Sequence, residues 1–226
     1  MTEADWLAAD DPSPMLEHLR GRISDRKLTL FAAACCRHLG PLLNDERCLA
    51  AVEMAERFAD GRADVKELSA ARTATIMAER GATGPAARAA YWTAHAQPAE
   101  TVWHVHTAAA EAETRGAMLA ASSIQEADWN DARDAAVHAQ ADLLREIVGN
   151  PFRPSHIDPA WLTWAGGTVP RIARGIFDER RFAELPVLAD ALEDAGCADE
   201  ELLAHCRSGE DHMLGCWVVD LLLGLS

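Results

Sequence analysis

The sequence predicts an all-α protein, on three observations. Apolar residues recur at helical spacing along most of the chain. Runs of alternating β-branched residues never exceed three or four positions, so strand signals are nearly absent. From about residue 62 to 145 the composition turns alanine-rich, which favours helix and gives faces that pack closely.

The elements follow in order. "DRKLTLFAAACCRHLGPLL" (25–43) places Leu28, Phe31, Cys35, Leu39 and Leu42 on one helical face behind a Ser24 or Asp25 cap, with Arg37 and His38 outward. "NDERCLAAVEMAERFADG" sets Leu49, Val52, Ala55 (or Glu56) and Ala59 around Phe58 and stops at Gly61. A helix then starts at Asp64 and ends between Gly81 and Pro85. The alanine-rich middle follows, with Trp92, Trp103 and Trp129 expected to supply bulk between its helices. It shows no fixed repeat period, so a solenoid is not indicated.

"GNPFRPSHIDPAW" (149–161) is the clearest punctuation: Gly149 ends a helix, and three prolines delay the next until Pro159. Phe152, Trp161 and Trp164 make the segment too apolar for a free linker, so it should be ordered along the surface. Helices over 168–183, 186–195, 199–207 and 211–224 complete a C-terminal four-helix unit. The expected organisation is one helical domain, 1–226, within which 149–159 would join sub-units 1–148 and 160–226.

Several blocks carry a resemblance: "MTEADWLAADDPSPML", "SDRKLTLFAAACCR", "GNPFRP", "LPVLADALEDAGC" and "GCWVVDLLLG". Together they resemble a family of uncharacterised, mostly planctomycete helical proteins that share these end blocks around an alanine-rich middle of variable length. The resemblance covers roughly 1–60 and 140–226. It implies a mostly helical fold and carries over no catalytic residue.

Composition narrows the function. The net charge of −15 and the lack of a basic stripe disfavour nucleic acid, whose binding needs clustered Lys and Arg. No apolar run approaches a membrane span, and the acidic start lacks the basic region of a secretory signal, so a soluble, cytoplasmic protein is expected. The six cysteines read as reduced, buried thiols.

Candidate chemistry concentrates in "AHCRSGEDHMLGCWVVDLLLG" (204–224). With Asp211 capping the last helix, His212 and Cys216 would sit at i and i+4 on one face, the spacing that lets two side chains share a metal. His205 and Cys206 end the preceding helix and Cys197 lies at the turn before it, so Cys197, His205, Cys206, His212 and Cys216 are the candidate zinc ligands. Against this, C-x8-C-x5-H-x3-C has no close-paired thiolates, and the stretch also reads as packing: Trp217, Val218, Leu221 and Leu222 in a core, and His205 near the last carbonyls of its helix. A cysteine nucleophile, Cys206 or Cys216 with His212 or His205, lacks a protease signature and has Glu210 and Asp211 nearby to disfavour a thiolate.

Elsewhere, His104 and His106 point apart on a helix and read as surface histidines, Glu100 and His104 share a face, and Glu111 and Arg115 suit an ion pair. "CCRHLG" lacks C-x-x-C, "WAGGTV" has no strand before its glycines, and no phosphate-binding loop or dinucleotide fingerprint is present. The sequence therefore points to a non-enzymatic interaction module, a scaffold or adaptor for another protein, with no catalytic residue and no cofactor. The alternative is a small metalloprotein with a zinc site in the C-terminal unit.

Overall fold

The computed structural model describes residues 1–79, 84–121, 126–209 and 211–225. Every regular element among them is helical. The chain opens with α1 (Glu3–Leu7) and α2 (Pro12–Leu19), followed by α3 (Asp25–His38), α4 (Glu46–Ala59) and α5 (Val65–Glu79). Next come α6 (Gly84–Thr93) and the two longest helices, α7 (Pro98–Ala120) and α8 (Glu126–Val148). The C-terminal helices are α9 (Pro159–Thr163), α10 (Thr168–Glu179), α11 (Leu185–Asp194), α12 (Glu200–Arg207) and α13 (Trp217–Leu223). Side-chain caps set many of the starts: Thr2 with Asp5 in a capping box, then Asp11, Ser24, Asp45, Asp158 and Asp199, each satisfying a first-turn N–H that has no helical partner.

The chain divides into two compact units, Met1–Leu144 and Arg145–Ser226, with the boundary one turn before the end of α8. In the first unit α3 packs on α4, α6 and α7, and α5 on α4 and α6. Alanines set the approach of α6 to α7: Ala86, Ala87, Ala89 and Ala90 on one helix and Ala108, Ala109, Ala110 and Ala112 on the other are buried. Bulk comes from Trp6, Met15, Leu30 and Phe31. Trp129 is 38% exposed, which corrects the expectation that it fills a helix interface; Trp92 and Trp103 are half-buried. Several polar groups on these faces are paired, as in Arg37, whose Nε and an Nη each donate to Glu56 at 3.0 Å, and in the Cys36 thiol 3.2 Å from Thr93 Oγ1.

Several elements differ from the sequence reading. α3 stops at His38, and a 3-10 turn over Gly40–Leu42 carries Pro41, so Leu42 leaves the stripe and is 36% exposed. On α4 the buried face is Cys48, Ala51, Val52, Ala55 and Glu56, while Leu49 is 37% exposed. Of the expected stop at 81–85, residues 81–83 lie outside the described residues; Pro85 is instead the second residue of α6, in the first turn, where its missing N–H costs no helical bond.

In the second unit one core joins Val169, Ala173 and Ile176 of α10 with Leu185, Leu188 and Leu192 of α11, Leu202 of α12 and Val218, Val219 and Leu222 of α13. The four expected helices are present, joined by the short α9. The first of them is shorter than the sequence suggested, because Arg180 turns left-handed (φ 53°) and closes α10 at Glu179. The larger correction concerns the last helix, expected over 211–224 with Asp211 as its cap. It runs only Trp217–Leu223, Asp211 is exposed, and residues 211–216 are irregular. Gly215, at φ 96°, adopts a conformation that no helix interior accepts, and the Cys216 N–H donates to the Met213 carbonyl at 3.0 Å in a turn. The segment after α8 is tied down: Phe152 N–H donates to Asn150 Oδ1 at 3.0 Å, Phe152 is half-buried and Trp161 is buried. No helix among the described residues is long and apolar enough to cross a membrane.

Candidate metal centre

The non-helical stretch between α12 and α13 brings three chemistry-bearing side chains to one point, and a fourth arrives from the last turn of α8. His205 projects from the last turn of α12, His212 and Cys216 from the irregular segment, and Glu146 from α8. One ligand atom from each lies within 4.8 Å of all the others. Glu146 Oε2 is 3.0 Å from His212 Nδ1 and 3.3 Å from His205 Nε2. The same Nε2 is 3.3 Å from Cys216 Sγ.

These spacings suit a tetrahedral ion. At the usual Zn–N, Zn–O and Zn–S bond lengths, the edges of a tetrahedron are about 3.3 Å between N or O donors and about 3.6 Å between N and S. Three of the six donor pairs lie 3.0–3.3 Å apart, close to these edges, and the others lie within 4.8 Å. The donor set, two imidazoles, a thiol and one carboxylate, suits zinc and neighbouring transition metals far better than the oxygen-seeking Mg²⁺ or Ca²⁺.

Burial sharpens the electrostatics. The side chains of Glu146, His212 and His205 are 6%, 5% and 14% exposed, and Cys216 is wholly buried. Burial pushes His205 down to about 4, opposed by the Glu146 carboxylate and reinforced by His212. Burial, with the nearby Glu146 charge adding to it, holds the Cys216 thiol well above its ordinary value. Among the described residues no Lys or Arg pairs with Glu146, and its Oε1 is buried without a hydrogen-bond partner. A buried carboxylate beside a neutral imidazole is costly. A dication bound by one carboxylate and one thiolate would bring the cluster to zero net charge.

Of the five ligands read from the sequence, three converge and two do not. Cys197 and Cys206 are buried in the core of the second unit among Leu188, Leu192 and Leu202, and neither belongs to the cluster. Burial pushes Cys206 up to about 12. His212 and Cys216 do meet, but across a loop rather than at i and i+4 of a helix. Glu146 is the candidate donor the sequence reading missed. Its signal was a carboxylate in the last turn of a helix, at the negative end of the dipole, between the buried Leu144 and Ile147.

The packing reading of this stretch holds in part. Val218, Val219 and Leu222 are buried, whereas Trp217 is half-buried with its ring 5.1 Å from that of His205. His205 turns to the cluster rather than to the carbonyls of its own helix. The geometry also counts against a cysteine nucleophile: the Cys216 thiol is sealed from solvent and pushed toward its neutral form, and Glu146 meets the same imidazole nitrogen as the thiol, leaving no relay.

The remaining motifs resolve simply. Arg115 and Glu111 form the expected ion pair at 2.6 Å, and Arg88 joins them. His104 is exposed and stacks on Trp92 at 4.5 Å, but His106 is buried, contrary to the surface position expected of it. It shares a face of α7 with Val102 and Ala109, and Gln140 Nε2 donates to its carbonyl at 3.1 Å. All six cysteines are free and buried. Compared with known proteins, the chain matches no family model, no curated protein and no solved structure.

Proposed function

We propose that the C-terminal unit is a zinc-binding module, with one ion held by Glu146, His205, His212 and Cys216, and that the protein is a metal-stabilised helical module rather than an enzyme. The observation that carries this reading is the convergence of four donors of the right chemistry, two buried and two half-buried, around a carboxylate that has no Lys or Arg partner among the described residues. Four protein ligands close a tetrahedral shell, as in structural sites, whereas catalytic zinc keeps a position open for water or substrate. The ion would bind the end of α8 to the α12–α13 connection, where the chain has little secondary structure to hold it.

A cytoplasmic setting belongs to this reading, since six free thiols and a thiolate ligand suit a reducing compartment. So does service as a scaffold for another protein. Kinship with the planctomycete family is proposed as well; one of its resembling blocks, "GCWVVDLLLG", contains Cys216. Metal analysis tests the central claim. Untagged protein should retain about one zinc per chain, and Cys216→Ser should lose most of it. Wild-type protein that takes up no zinc after exposure and desalting would overturn the reading.

A further inference from the structure

We infer that Ser208 is the positioning residue of this metal centre, selecting the nitrogen through which His212 binds. The inference rests on the zinc reading above. The two histidines present different atoms to the cluster: His205 offers Nε2 and His212 offers Nδ1. A neutral imidazole has a lone pair only on the nitrogen that carries no proton. For Nδ1 of His212 to bind a cation, the ring proton must sit on Nε2, and in a side chain only 5% exposed that N–H needs an acceptor.

Ser208 supplies it. Its Oγ lies 3.2 Å from His212 Nε2. Its own N–H donates to the His205 carbonyl at 3.1 Å, so one residue fixes the backbone of the first histidine and the ring of the second. The backbone does not explain the choice of serine. Ser208 closes α12 in an extended conformation (φ −61°, ψ 148°) open to any L residue, and helix ends favour glycine or asparagine over serine. The hydroxyl is what this position contributes. A ligating histidine whose second nitrogen is held in this way gains both orientation and basicity.

The test compares wild type, Ser208→Ala and Ser208→Thr in the full chain. Zn²⁺ affinity is read by competition with a chromophoric chelator, coordination by the absorption of the Co²⁺ form, and the His212 tautomer by long-range ¹H–¹⁵N spectra of the zinc-loaded protein. Ser208→Ala should bind Zn²⁺ about 10–100-fold more weakly while keeping one ion per chain. Ser208→Thr, which keeps the hydroxyl, should return most of that loss. The wild-type spectrum should place the ring proton on Nε2, and the metal-free proteins should melt alike.

Equal Zn²⁺ affinity of Ser208→Ala and wild type would overturn the inference while leaving the zinc site standing. So would a Nε2 without a proton, or a loss of melting temperature in Ser208→Ala that is as large without metal as with it. Failure of the wild type to bind either Zn²⁺ or Co²⁺ would remove the site itself, and Ser208's role with it.

Discussion

Glu146→Gln should change sign with the metal. The substitution keeps the shape of the side chain and removes its charge. In zinc-loaded protein it takes away one anionic ligand and leaves the closed cluster with an unbalanced positive charge. Removing one partner from a buried charge pair costs about 3–5 kcal/mol, which is roughly two to three and a half decades of affinity. Zinc present at a thousandfold excess over its dissociation constant stabilises a folded protein by about 4 kcal/mol, and the variant should lose about 3–4 kcal/mol of that. A chain of 226 residues shifts by about 2–4 °C for each kcal/mol, so the zinc-dependent rise in melting temperature should shrink by about 6–16 °C.

Without metal the arithmetic reverses. Glu146 is then a carboxylate 6% exposed, with one oxygen lacking any partner and His205 pushed toward its neutral form beside it. Replacing a buried charge by a neutral isostere is often neutral or stabilising. The assay is thermal unfolding of the full chain, wild type and Glu146→Gln, in excess chelator and in buffered free zinc. A variant that gains as much stability from zinc as the wild type would refute the assignment of Glu146 as a ligand. A wild type indifferent to zinc would refute the centre.

Three further outcomes concern the fold. Arg37→Ala removes both guanidinium hydrogen bonds from the Glu56 carboxylate, whose side chain is 4% exposed, and should destabilise the protein by about 1–3 kcal/mol in urea unfolding; an effect below the error of the fit would show that the pair contributes nothing to stability. Gly149→Ala demands a left-handed alanine at φ 72° with its Cβ about 3.0 Å from the Trp217 ring, and should cost at least the roughly 1–2 kcal/mol of that conformation, again by urea unfolding. Glu113 is pushed by burial from 4.5 up to about 7, and its Oε1 is buried without a partner. The folded state therefore holds this proton more tightly than the unfolded chain does. Its contribution to stability is fully present below pH 4.5 and is lost as pH rises through 7. Glu113→Gln should be more stable than wild type at pH 8 and show a flatter decline between pH 5 and 8; parallel pH profiles would contradict the burial argument.

What the sequence made legible was local. Caps, prolines and apolar spacing placed α4, α11 and α12 to within a few residues, because each is decided by neighbours along the chain. Ser24, one of the two caps read for α3, takes that role, and Gly149 follows the end of α8. The misreadings arose where a tertiary partner or a backbone turn overrode the pattern. Leu49 fits an apolar stripe, yet the alanines and Cys48 beside it let α4 approach α3 more closely, and the smaller residues took the interior. His106 reads as a surface residue until α7 acquires Gln140 as a neighbour. The helical spacing of His212 and Cys216 is real in sequence, but Gly215 breaks the helix between them. That they meet at all follows from a loop conformation no periodicity encodes. Glu146 lies far upstream, in a helix whose apolar pattern gives no reason to single it out.

The cluster nonetheless marks itself by broken local rules, and this separates a site from ordinary packing. Glu146 puts a negative charge at the negative end of a helix. His212 and Cys216 sit where a seemingly good helix fails to form, and Cys216 caps α13 without a side-chain hydrogen bond. Each departure alone is a small cost with no visible return; they converge within 4.8 Å, and one dication would offset them together. Glu113 offers the contrast. It too is an acid with a buried, unsatisfied oxygen, although the residue as a whole is half-buried, and it belongs to no group of metal-ligating donors among the described residues. Its cost is met by keeping a proton, and the physical consequence is a slope in stability with pH rather than a binding site. A buried acid therefore points to a metal only when other donors share its space, and in this protein that condition singles out Glu146.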